Sequence, residues 1–161
     1  MSFDFFEALP DGFRGTQHEL SNWLEEVAVK YNSRIINLCY RFVDDAEITE
    51  INQKYLGHSY ATDVISFGYE EGASISGDIV IGYETVRRNA VLFSTMYQDE
   101  ICRVMAHGLL HLIGFNDQSE EEQEAMRSAE EKCLILRPEK SEGQIVAIVP
   151  RETYGYDRSK L

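Results

Sequence analysis

"MAHGLLHLIGFNDQ", residues 105–118, sets two histidines four positions apart, then a glycine, then an aspartate. At 100° per residue His111 lies about 40° round a helix from His107 and one turn on, so both rings project from one side and two nitrogens can meet one ion. Ile101, Met105, Leu109, Leu112 and Ile113 crowd the opposite arc, a core-facing stripe separate from the histidines. Gly114 can end such a helix in a left-handed turn, which returns the chain past His111 and brings Asp117 toward the same point. The competing reading is a packed helix with a chance histidine pair, followed by an ordinary acidic turn.

A helix with that stripe needs an apolar surface to pack on, and the flanking sequence supplies one. "TDVISFGY" (62–69) and "SGDIVIGY" (76–83) are short β-rich runs, spaced as a hairpin or as neighbouring strands, and "SRIINLCYRFV" (33–43) is a further strand. In the last of these Ile35, Asn37, Cys39 and Arg41 alternate against Ile36, Leu38, Tyr40 and Phe42. Helical patterns occupy "TQHELSNWLEEVAVKYN" (16–32), with Thr16 and Glu19 as a capping box, and "DDAEITEINQKYLG" (44–57), with an Asp cap and a stop at Gly57. "YETVRRNAVLFS" (83–94), "MYQDEICRVMAHGLLHLIG" (96–114) and an acidic segment from about Ser119 to Leu136 continue the helices, and residues near Phe3 to Glu7 suggest an edge strand. The expected class is α+β: a small mixed sheet covered by helices, with a zincin-like metal site at the C-terminal end of a central helix. Residues 1–137 read as one domain; residues 138–161 read as an extension in which "GQIVAIV" (143–149) adds an edge strand before a loose tail.

A chain of 161 residues is the size of one domain and buries a core without staples. Apolar residues make up 43% and charged residues 27%, a globular mix, and the longest apolar stretch, Leu109 to Phe115, is interrupted and far short of a membrane span. "MSFDFFEALPDG" has acidic residues where an export signal needs a basic and then an apolar region. Cys39, Cys102 and Cys133 are odd in number and sit in apolar contexts, as buried thiols of a reducing compartment do. The cytoplasm is the expected location, with no membrane partner. A net charge of −13, from 28 acidic and 15 basic residues, opposes general attraction to phosphates. DNA is therefore not an expected partner, and contact with RNA must be local. Part of the acidity lies in "SEEEQEAMRSAEEK" (119–132), read as the solvated face of one helix.

Two imidazoles and a carboxylate suit zinc, and three protein ligands leave an open coordination position, as catalytic sites do. The same trio also holds ferrous iron, so ligand type alone leaves other divalent metals open. A zinc peptidase helix reads HExxH, with the glutamate as general base, but Gly108 occupies that place here and the peptidase reading falls.

"HGLLHLIGFND" is similar to the HGxLHLxGxDH signature of the YbeY family of metal-dependent endoribonucleases, matching at His107, Gly108, Leu110, His111, Leu112 and Gly114. Asn52, Tyr55 and "TDVISF" (62–67) resemble that family's N-x-x-Y-R and T-D-V-L-S-F segment, and Gly77, Asp78 and Ile79 resemble its "GDI". The resemblance implies a small α+β fold with a zinc ion, cleavage of single-stranded RNA, and a role in ribosomal RNA maturation and ribosome quality control, with ribosomal RNA or the small subunit as partner. Asp117 stands where the signature has its third histidine and Asn116 where it has aspartate, so the implied ligand set is His107, His111 and Asp117. A carboxylate there adds negative charge and should make a bound water less acidic than three neutral imidazoles would.

Leu56 stands where the family motif carries an arginine, the residue type whose fork stabilises charge on a scissile phosphate. Lys54, His58, Arg87 and Arg88 are the candidate substitutes, with His58 nearest the motif and a candidate catalytic residue; Ser66 is a candidate cleft-lining residue. Solvated lysines and arginines on helices are routine, and a polar group in a strand is more often satisfied structurally. Two rival functions stand beside the nuclease: a zinc-dependent hydrolase of a peptide or small ester, and a ribosome-assembly factor with weak nuclease activity.

Overall fold

A computed structural model describes residues 2–7, 17–69 and 73–137 of the chain, the first of these segments by its backbone. The capping box expected at Thr16, and the strand and tail expected within 138–161, lie outside the described residues. In chain order the elements are β1 (Ser2–Glu7), α1 (Gln17–Lys30), β2 (Arg34–Val43), α2 (Asp45–Leu56), β3 (Val64–Gly68), β4 (Ser74–Gly82), α3 (Tyr83–Leu92), α4 (Tyr97–Ile113) and α5 (Glu120–Leu136). The strands form a mixed sheet in the order β1-β2-β4-β3. β1 and β4 both run parallel to β2, and β3 closes the far side antiparallel to β4. The expected α+β class and the pairing of the two β-rich runs are both present.

Alternation along β4 sorts the two faces of the sheet. Ile75, Ile79 and Ile81 enter a large core with Trp23, Leu24 and Val27 of α1, Leu38, Tyr40 and Phe42 of β2, Ile101, Met105 and Leu109 of α4, and Met126 and Cys133 of α5. Val80 points the other way, joining Val43, Ile48, Ile51 and Ile65 in a smaller core under α2. One strand departs from simple alternation: a bulge between Ile35 and Asn37 shifts the register of β2 against β4. An extra residue reverses the facing of everything before it, so Ile35 shares the large core with Leu38 and Tyr40 instead of the face of Asn37 and Cys39.

Helix ends follow their expected signals. Asp44 accepts the Glu47 backbone N–H at 2.9 Å, and Gly57 closes α2 at φ 73°. Ser119 and Glu122 form a reciprocal capping box, each side chain accepting the other's backbone N–H, at 3.1 and 3.0 Å. Trp23 Nε1 donates to the Cys133 carbonyl at 2.7 Å, joining α1 to α5. None of the described helices is long and apolar enough to cross a membrane.

Candidate metal centre

Helix α4 is the central helix, and three strands grip it beside its histidines, at Met105 and Gly108. Tyr40 of β2 donates its hydroxyl to the Met105 carbonyl at 2.8 Å, and Ser66 of β3 donates to the Gly108 carbonyl at 3.1 Å. From β4, Ile79 presses so close that a Cβ on Gly108 would lie 2.7 Å from Ile79 Cγ2. Met105 and Leu109 are fully buried and Leu112 and Ile113 pack at the edge of the core, as the stripe predicts. Leu110, outside that stripe, is also fully buried, because α4 is enclosed by other helices as well as by the sheet. Through the middle of the helix, from Ile101 to His111, the residues left partly exposed are Arg103, His107 and His111, at four-residue intervals.

The turn after α4 has the expected form. Gly114 adopts φ 129°, which strains any residue with a side chain, and its N–H reaches the Leu110 and His111 carbonyls at 3.0 and 3.1 Å. Phe115 then packs edge-on against Tyr31, with ring centroids 5.2 Å apart, and Gln123 holds the Asp117 carbonyl at 3.1 Å. The Asp117 carboxylate is thereby turned back on the helix: its Oδ2 lies 3.5 Å from His107 Nε2 and 3.4 Å from His111 Nε2. The two imidazole nitrogens are themselves 3.1 Å apart. Among the described residues these are the one group of three or more potential ligands whose donor atoms lie within 4.8 Å of one another. Two nitrogens and one carboxylate oxygen fit a divalent cation of zinc type.

One neighbour of this group has no counterpart in the sequence reading. His107 Nδ1 lies 2.7 Å from Oε2 of Glu130, whose other oxygen is 3.1 Å from Arg103 Nη1. Burial works against a charged His107, but the Glu130 hydrogen bond and charge, with Asp63 and Asp117 further off, carry its pKa above the ordinary histidine value. Glu130 belongs to the acidic segment read as solvated, yet it is only 6% exposed. The signal was its position: it falls four residues after Met126 and three before Cys133, on the buried stripe of α5.

The remaining candidates are placed as follows. His58 is exposed, with Nδ1 2.7 Å from the Tyr60 hydroxyl, and is outside the ligand group. Lys54 and Arg87 are exposed, their charged ends over the rings of Tyr55 and Tyr97 at 5.2 and 4.8 Å. Arg88 grips Asp45 with two hydrogen bonds, at 2.8 and 3.0 Å, tying α3 to α2. Leu56 is half exposed at the end of α2. Other motif residues serve the frame: buried Asn52 donates to the Tyr60 carbonyl at 2.9 Å, and buried Asp78 faces Arg41 at 3.5 Å and accepts the Tyr69 hydroxyl.

The family model described as Endoribonuclease YbeY matches residues 13–136. The Endoribonuclease YbeY of Bacteroides fragilis is 44% identical over 121 residues, covering 75% of this chain and 87% of that protein. That of Phocaeicola vulgatus is 47% identical over 118 residues, covering 73% and 86%. Among solved structures, the solution structure of TM1509 from Thermotoga maritima has a TM-score of 0.59 at 24% identity, over 84% of this chain and 88% of that one, a likeness of fold. With the match spanning strands β2 to β4, the central helix and the His-His-Asp group alike, the chain belongs to the YbeY endoribonuclease family.

Proposed function

We propose that this protein is a metal-dependent endoribonuclease that cleaves single-stranded RNA, acting in the cytoplasm on ribosomal RNA during ribosome maturation and quality control. The observation that carries the reading is the convergence of His107 Nε2, His111 Nε2 and Asp117 Oδ2 at the end of α4, in a chain of this family. These three groups are the proposed ligands of one zinc ion. Bound there, zinc supplies a Lewis acid that stabilises negative charge developing on a scissile phosphodiester.

The chain's own residues set the terms of that chemistry. Asp117 brings a charge where a third histidine would be neutral, which strengthens hold on the cation and tempers its acidity. Position 108 offers no general base, and its packing against Ile79 and Ser66 leaves no room for one, which separates this helix from a peptidase. Lys54 and Arg87, exposed on α2 and α3, are the proposed contacts to RNA phosphates. Arg88 and His58 are further proposed contacts, each needing to exchange a present partner, Asp45 or Tyr60, for the RNA. Ser66 contributes by docking α4 on β3.

The test is zinc content and cleavage of a defined single-stranded RNA by His107→Ala and His111→Ala, with a peptide substrate run alongside. Both variants should stay folded, lose bound zinc and lose cleavage; a folded, metal-free variant with full nuclease activity overturns the proposal. Exposed Leu56, offering no guanidinium at the end of α2, favours a second role as an assembly factor with modest nuclease power. Under that reading the metal-site variants still co-sediment with small ribosomal particles.

A further inference from the structure

We infer that Glu130, held by Arg103, is a positioning residue for His107: it keeps the imidazole proton on Nδ1 and so presents the Nε2 lone pair to the cation. The inference rests on the metal reading of the His107, His111 and Asp117 group. An ionised carboxylate only accepts hydrogen bonds, so the 2.7 Å contact between Glu130 Oε2 and His107 Nδ1 places the proton on that nitrogen. Arg103 Nη1, 3.1 Å from the other carboxylate oxygen, pairs with Glu130 in its buried place on α5 and leaves Oε2 to the His107 ring.

Two further contacts hold Arg103 itself in place, with Glu131 at 2.7 Å and Glu100 at 3.9 Å. A chain of fixed side chains therefore runs from α5 through Arg103 and Glu130 to the ring of His107. The loop carrying Asp117 enters the same helix through the Ser119 cap and is held by Gln123. One docking surface, α5 on α4, thus sets a ligand and the support of another. Outer partners of metal-bound imidazoles orient the ring and raise its basicity, and their loss typically costs about 10–100-fold in metal affinity.

The experiment compares full-length wild type, Glu130→Gln and Glu130→Leu. Zinc affinity is measured by competition with a chromophoric chelator, and folding by the fluorescence of Trp23. In parallel, the ring-nitrogen NMR signals of His107 are recorded in metal-free wild type at a pH where the ring is neutral. The expected results are a protonated Nδ1 in wild type, a loss of about 10–100-fold in zinc affinity for Glu130→Leu, and a smaller loss for Glu130→Gln, which keeps an acceptor oxygen. A proton on Nε2 in wild type overturns the inference without any variant, so it stays testable if Glu130→Leu does not fold. Wild-type zinc affinity in a folded Glu130→Leu or Glu130→Gln, with His107→Ala defective, also overturns it and leaves the metal reading intact. Failure of wild type to bind zinc overturns the metal reading itself.

Discussion

Gly108→Ala is expected to destabilise the protein, against the ordinary rule for helices. In a helix interior the change from glycine to alanine gains about 1 kcal/mol, because the unfolded chain loses freedom and the helix backbone is shielded. Here the new Cβ would sit 2.7 Å from Ile79 Cγ2, 3.2 Å from Ile79 Cδ1 and 3.2 Å from Ser66 Oγ. Ile79 is fully buried on a central strand, and its Cγ2 branches from Cβ, so the methyl cannot retreat by turning the end of the side chain. Relief must come from lifting α4 off the sheet. Overpacking of this kind costs about 1–3 kcal/mol, and lengthening the Ser66 hydrogen bond to Gly108 costs up to about 1 kcal/mol more. After the helix gain of about 1 kcal/mol the net loss is about 1.5 kcal/mol at the middle of these ranges and at most about 3 kcal/mol, and each kcal/mol lowers Tm by about 2–4 °C in a chain of this size. Urea denaturation followed through buried Trp23, the one tryptophan of the chain, measures it. Ile79→Ala removes the clashing methyl, so in that background Gly108→Ala should stabilise by about 1 kcal/mol. A Gly108→Ala protein as stable as wild type, or the same effect in both backgrounds, refutes the reasoning.

Three other outcomes are expected. Ser119→Ala breaks the capping box at the start of α5 and should cost about 1 kcal/mol in urea denaturation; no change in midpoint would show that this end is held by other contacts. The Arg88 hydrogen bonds hold the Asp45 carboxyl below its ordinary pKa against a smaller opposing effect of burial, with the Thr85 hydroxyl assisting. A depressed carboxylate contributes stability that is complete above its unfolded value and is lost as pH falls through its folded value. The stability gap between wild type and Asp45→Asn should therefore be full near pH 7 and vanish toward about pH 2, in denaturation measured across that range. Cys39, Cys102 and Cys133 are buried, and burial pushes the Cys133 thiol up to about 11, so a thiol reagent at neutral pH should label them only as fast as the protein opens. Rapid labelling of Cys133 in native protein would contradict that burial.

Local patterns were enough for the elements and for the convergence of His107, His111 and Asp117. The His107–His111 spacing and the Gly114 turn are properties of a few consecutive residues, so their consequence, a carboxylate returned to the end of α4, could be read before the fold was known. Three features were not readable because they arise between segments distant in the chain. The bulge near Ile36 is set by pairing of β2 with β4, and nothing in "SRIINLC" marks it. Occupancy of Arg88 depends on α3 meeting α2, where Asp45 waits. The role of Glu130 depends on how α5 docks, although a carboxylate on the apolar stripe of that helix was a legible anomaly.

Gly108 joins the two kinds of information. Its sequence reading was negative, the absence of a peptidase base. The structure gives that absence a positive cause. With no side chain at 108, α4 settles onto Ile79 and accepts the Ser66 hydroxyl, and this contact fixes the rotation of the helix about its axis. At that rotation Arg103, His107 and His111 form a partly open line on the side away from the sheet, and the two carboxylates Glu130 and Asp117 reach it from the α5 side. A glutamate at 108 would have to displace Ile79, and in doing so would turn the histidines away from both carboxylates. The missing base and the His-His-Asp geometry therefore have one structural cause: a helix that lies this close to its sheet presents His107 and His111 on its far side and has no place for a base at 108 on the near one.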